Sequence, residues 1–231
     1  MRMNTAILLL FSLPALTALP ASAQASARIV YTFEHPQLQP SHYAITIDES
    51  GTGHFVSQPG AAVMDSDESV MPAPIDRAIQ LDAGLRTQLF AYARAHDFFN
   101  DRCDRGRAGM AFTGNKTLTY AGPDGKGTCA FIWGSDPELQ RIADQLNAVA
   151  FTLEVGRRLD VEDQHDRLGL DSELASLQDA IRDQRASDLP NIAPELHTIA
   201  EDQMVMDRAR KRALTLLSRC EDPQKRNESR P

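Results

Sequence analysis

Among the 231 residues, six histidines and three cysteines are the side chains best suited to metal, nucleophilic or acid–base chemistry. His42 and His54 fall in two runs that read as paired strands. Setting Phe55 opposite Ile47 puts His54 opposite Asp48, six positions from His42. At about 3.3 Å per residue the two imidazoles stand roughly 20 Å apart and cannot share a metal. His35 has no second ligand at a fixed spacing, and no metalloprotease helix or Cys-x-x-Cys is present. Asp65, Asp67, Ser69 and Asp76 match positions 1, 3, 5 and 12 of a calcium loop. Val70, however, stands where the sharp turn needs Gly, and the last position needs a bidentate Glu. The expectation is a solvated acidic loop, no metal and no cofactor.

His96 shares an apolar helical stripe with Leu85, Leu89, Tyr92 and Phe99, so burial could tune it toward general-base work. A histidine bonded to a backbone group explains the same spacing without catalysis, and no Gly-x-Ser-x-Gly elbow offers a nucleophile. Gly114 to Thr117 ends like a phosphate-binding loop but lacks the earlier glycine and falls in a strand region. Of the cysteines, Cys103 and Cys129 are the expected disulfide, because the residues between them hold one compact hairpin. Closing that loop stabilises the fold by roughly 3.5 kcal/mol in the chain-entropy model. Cys220 is left as a thiol near the end of the last helix, with intermolecular pairing as the second reading.

These residues need a scaffold. Arg28 to Glu34 and His42 to Asp48 alternate apolar and polar residues as strands do; Tyr43, Ile45 and Ile47 share one face. A turn of three or five residues centred on Gly51, with that glycine left-handed, joins the second run to the strand carrying Phe55. Residues 58 to 74 read as a long exposed loop before the chain re-enters at Ile75 to Leu81. Asp82 caps a helix expected to reach Phe99. A second hairpin, Lys116 to Tyr120 with Thr128 to Trp133, turns at Pro123, Asp124 and Gly125. Its four-residue loop places Leu118, Tyr120, Cys129, Phe131 and Trp133 on one face.

From Asp136 the pattern becomes helical. Asp136-Pro137 is a cap followed by proline in the first turn, and Leu139, Ile142, Leu146, Val149 and Leu153 recur at threes and fours. Gly156 to Gly169 is charged and ambiguous. Asp171 is expected to cap a helix carrying Leu174, Leu177 and Ile181, and helices follow at about Ile192 to Ala200 and Met204 to Arg219. Within residues 190–219, Pro194, Leu196, Ile199, Ala200, Asp202, Val205, Arg208, Ala209, Ala213 and Leu217 resemble one helix pair of a HEAT-type repeat. That resemblance implies two antiparallel helices stacked on neighbours. It covers under 30 residues and has no second copy at a fixed period, so it implies a helical module and not a solenoid.

Arg2, the apolar run Ala6 to Leu19 and Ala21-Ser22-Ala23 read as a secretory signal peptide over residues 1–23. Removing it takes one basic residue and leaves a net charge of 23 minus 32, or −9. An acidic chain without a basic stripe argues against nucleic acid and anionic lipid. The expectation is an α+β protein: an antiparallel sheet of two hairpins covered by one helix over residues 24–135, an all-helical module over 136–220, and a loose tail over 221–231. It is expected to be soluble, periplasmic or secreted, without a membrane span. The expected role is non-catalytic binding of a protein, peptide or envelope component, with the 58–74 loop and the 122–127 tip as contacts. The alternative is a periplasmic hydrolase using His96 or His54 with a nearby carboxylate.

Overall fold

The structure, a computed structural model, describes residues 26–59, 73–106, 109 and 111–221. The expected signal peptide, most of the 58–74 loop and the tail from residue 222 lie outside the described residues.

Period-two alternation builds the sheet. β1 (Arg28–Glu34) buries Ile29, Tyr31 and Phe33, and β2 (His42–Asp48) buries Tyr43, Ile45 and Ile47. β3 (Thr52–Gln58) adds Phe55, β4 (Asp76–Gln80) adds Ile79, β5 (Asn115–Ala121) adds Leu118 and Tyr120, and β6 (Lys126–Phe131) adds Cys129 and Phe131. Every pairing is antiparallel, in the order β4-β3-β2-β1-β5-β6. Both expected hairpins are there, widened by β1 and β4 into one six-stranded sheet.

The β2–β3 register differs from the expected one by two positions: Phe55 faces Ile45 and His54 faces Thr46. The turn is three residues, 49–51, centred on Ser50, with Gly51 at φ +87°. An even shift leaves every side chain on its expected face, so alternation alone could not reveal it. In the second hairpin the four-residue loop sets Leu118 opposite Cys129 as expected. Trp133 lies past the strand end, half-buried, with its indole N–H donating to the Ala111 carbonyl at 2.9 Å; Ile132 is buried in its place.

Helix α1 (Ala83–Ala95) is capped by Asp82, which accepts from the Gly84 and Leu85 N–H groups. It stops short of Phe99 because Asp97, Phe98 and Phe99 take positive φ values of 46°, 55° and 70°. That turn drives Phe98 against Gly125, where a Cβ would come within 2.2 Å of the ring. α2 (Pro137–His165) is capped by Asp136 and runs unbroken through Gly156, whose missing side chain lets Ile192 pack against the helix. α3 (Leu170–Arg182), α4 (Ala193–Glu201) and α5 (Asp207–Glu221) complete the chain. Asp171 sits inside the first turn of α3 and pairs with Arg208 and Arg212 of α5; it is not the cap.

The sheet face is covered by α2 as well as α1. The hydroxyls of Tyr31 and Tyr43 both donate to Asn147 Oδ1, at 2.7 and 2.6 Å, and burial pushes both phenols above their ordinary pKa. Tyr92 of α1 donates to Asp136 Oδ2 at 2.7 Å. Apolar packing continues without a break from Ala27 through α2 to Leu217. Among the described residues no helix is long and apolar enough to cross a membrane.

Candidate functional site

An open sheet exposes two edges and one face, and this chain treats them differently. On the β4 edge the Asn191 amide imitates a strand: its Oδ1 accepts from Gln80 N–H at 2.8 Å and its Nδ2 donates to Gln80 O at 3.1 Å. On the β6 edge the segment after α1 lies alongside the strand. Asn100 Nδ2 donates to Lys126 O at 3.0 Å, Arg105 N–H to Trp133 O at 3.0 Å, and Ser135 N–H to Cys103 O at 2.8 Å. The Cys103–Cys129 disulfide, Cα to Cα 6.1 Å, fastens that segment to β6. The expected bridge is present, and it closes an edge.

The face turned away from the helices stays open: none of its described residues is buried. Across its middle run Ala78, His54, Thr46, Val30, Thr119 and Thr128, and beside them Asp76, Val56, Ala44, Thr32, Thr117 and Ala130. The sole acidic or basic residue in those rows other than His54 is Asp76, at the β4 end. His54 Nε2 and Asp76 Oδ1 are 2.8 Å apart, with side-chain exposures of 47% and 74%. Charged residues such as Arg28, Asp48, Glu34 and Lys126 sit at the strand ends. Six strands spaced about 4.8 Å apart, each about 20 Å long, give a face on the order of 500 Å².

His96, expected on the apolar stripe, is half-exposed at the end of α1. It stacks on Tyr92 at 4.0 Å, and its Nδ1 is 3.6 Å from Asp101 Oδ2. Both sequence-flagged histidines therefore have a carboxylate. Neither, among the described residues, has a hydrogen bond to a hydroxyl or thiol that could serve as nucleophile. The 122–127 tip, expected as a contact, keeps Pro123, Asp124 and Lys126 exposed and is held by side-chain bonds. Arg94 Nε pairs with Asp124 Oδ2 at 2.7 Å, Tyr120 donates to Asp124 Oδ1 at 2.6 Å, and Arg94 also grips Glu49 of the β2–β3 turn. The Arg94 guanidinium, then the Tyr120 hydroxyl, hold the Asp124 carboxyl below the usual range.

Two interior groups went unseen in the sequence. Lys116 is 2% exposed, and its Nζ donates to Ile132 O at 2.9 Å and Thr113 Oγ1 at 3.2 Å; burial pushes the ammonium below the ordinary lysine value. It locks the start of β5 to the end of β6, which explains why 114–117 only superficially imitates a phosphate loop. Glu162 on α2 is pushed up to about 7, by burial first and then by the neighbouring Glu173 and Asp166 carboxylates. Its Oε2 is buried and, among the described residues, has no hydrogen-bond partner. Cys220 is half-buried, with Sγ 3.5 Å from Leu216 O. Among the described residues no group of three or more His, Cys, Asp or Glu is placed to hold a metal ion.

The sequence matches no protein-family model and no curated protein.

Proposed function

We propose that this is an exported, non-catalytic binding protein whose contact surface is the open face of the six-stranded sheet. One observation carries the proposal: each sheet edge is met by another part of the chain, at Gln80 on β4 and along β6, while the broad face between them is left open and nearly free of charge in its central rows. Obstructed edges disfavour strand addition, so the partner docks face-on, with the side chains of a folded protein surface against the Thr, Val and Ala rows. At about 500 Å² the face falls below the roughly 800 Å² per partner of a standard interface, which suits a reversible contact. The disulfide is consistent with folding in an oxidising compartment, periplasmic or extracellular. The hydrolase alternative draws on His54–Asp76 and His96–Asp101, but among the described residues neither histidine hydrogen-bonds a hydroxyl or thiol.

The test is the native mass of the protein isolated gently from its producing cell, as wild type and as Thr46→Arg/Thr119→Arg. Both positions lie mid-face, so the substitutions leave the core untouched. A partner mass on the wild type that the variant lacks is the expected result; a partner retained by the variant, or a bare monomer in both, overturns the proposal.

A further inference from the structure

Charge is unevenly distributed along the chain. Residues 207–231 hold eight of the 24 Lys and Arg but four of the 32 Asp and Glu, a local net charge of +4 in a chain of net −8. In α5, Arg208, Lys211 and Arg212 line a surface cleft of about 410 Å³ with Gln178, Asp207 and Thr215. Beneath them Asp171, 8% exposed, forms an ion pair through Oδ2 with Arg208 Nε at 2.8 Å and accepts a hydrogen bond on Oδ1 from Arg212 Nε at 2.9 Å. Arg212 Nη1 donates to Gln178 Oε1 at 2.8 Å.

These contacts hold Arg208 through Nε and Arg212 through Nε and Nη1. Among the described residues the two terminal nitrogens of Arg208 and Nη2 of Arg212 keep no protein acceptor. Lys211 Nζ is 2.7 Å from Asp207 Oδ2, but both side chains are over 70% exposed, at 73% and 71%. A surface pair of that kind is worth about 0–1 kcal/mol, so an oxyanion ligand readily takes over the ammonium. A buried carboxylate that orients two arginines, with a lysine beside them, is an arrangement suited to tetrahedral oxyanions, which guanidinium forks grip in pairs of bonds. Leu214, 55% exposed one turn beyond Lys211, offers an apolar neighbour to the organic part of a phosphoester.

We propose that the α3–α5 cleft binds a phosphoryl oxyanion through Arg208, Lys211 and Arg212. The shared chemistry is a phosphate group, free or on a lipid headgroup, and two probes separate the sources. Calorimetry of the purified full chain uses inorganic phosphate. Co-sedimentation uses vesicles of phosphatidylglycerol with phosphatidylcholine, against phosphatidylcholine alone. The informative variant is Arg208→Gln/Lys211→Gln, which removes two exposed cations and spares the buried Asp171–Arg212 pair. Arg141→Gln/Arg182→Gln removes the same charge from positions 60% and 71% exposed elsewhere. Phosphate binding, or vesicle binding that needs phosphatidylglycerol, weakened at least tenfold in the first variant and less than twofold in the control, is the expected result. Lys211→Gln alone should show part of the same loss should the double variant fold poorly. No binding of either probe at millimolar concentration, or equal weakening in both double variants, overturns the proposal.

Discussion

Single side chains settle much of what this molecule tolerates. Glu162 illustrates the sign of a buried acid. Its pKa of about 7 in the fold lies above the ordinary glutamate value, so between pH 4.5 and 7 the folded state binds more protons than the unfolded chain. Stability from this group is therefore full below about pH 4.5 and is lost as pH rises through 7. Glu162→Gln should raise the melting temperature at pH 8 and leave it nearly unchanged at pH 4.5; thermal melts at the two values check this, and an equal shift at both would refute the assignment. Asn147 makes the opposite case, a polar group needed by its neighbours. Asn147→Leu strands two buried phenol hydroxyls, at about 1–3 kcal/mol each, and urea titration should show a loss of about 2–4 kcal/mol. Adding Tyr31→Phe and Tyr43→Phe should recover most of it. Neither role was legible in the sequence. Asn147 sits on the polar side of a helical pattern, and nothing local announces that two tyrosines from adjacent strands converge on it. The Cys103–Cys129 bridge was legible, because two of the three cysteines enclose one compact hairpin and the third falls in the last helix.

At the scale of elements, alternation and caps carried most of the information. β1 and β2 match their expected spans, and Asp82 and Asp136 cap the helices they were expected to cap. Two of the boundaries that escaped have plain physical reasons. α1 ends at Ala95 because three successive residues without a glycine among them turn left-handed, a cost met by burying Phe99 and seating Phe98 on Gly125. α2 continues through Gly156 because that glycine serves packing against Ile192 and not termination, and only the tertiary partner distinguishes the two. The disulfide gives the sharpest test at this scale. Cys103→Ser/Cys129→Ser should lower stability by roughly 3.5 kcal/mol in denaturant titration. It should also loosen the segment that shields β6, so that sedimentation shows association rising with protein concentration. A destabilised variant that stays strictly monomeric would separate the bridge's entropic effect from any role at the edge.

For the whole molecule, the α+β class and the helical second half were readable, whereas the joining of the two was not. The core runs unbroken past Asp136 because the first half of α2 rests on the sheet and α2 also packs on α3 and α4, on which α5 packs in turn. That placement sets α2 with α1 on one face of the sheet, and among the described residues none on the other face is buried. The candidate surface was not legible for the same reason: Thr32, Thr46, Thr117, Thr119 and Thr128 read one by one as ordinary outward strand residues. Only strand order assembles them into rows, and only Asn191 and the 100–105 segment show that the edges are withheld. The acidic net charge similarly concealed the cleft, since composition averages over the whole chain while Arg208, Lys211 and Arg212 stand together on α5. The most direct test of the face-on contact is photo-crosslinking in the producing cell, with a benzophenone side chain placed at Thr46, at Thr119 and, on the helical side, at Arg182. A partner of one defined mass captured from both sheet positions and not from Arg182 is the predicted result; capture from Arg182 alone, or from no position, would contradict it.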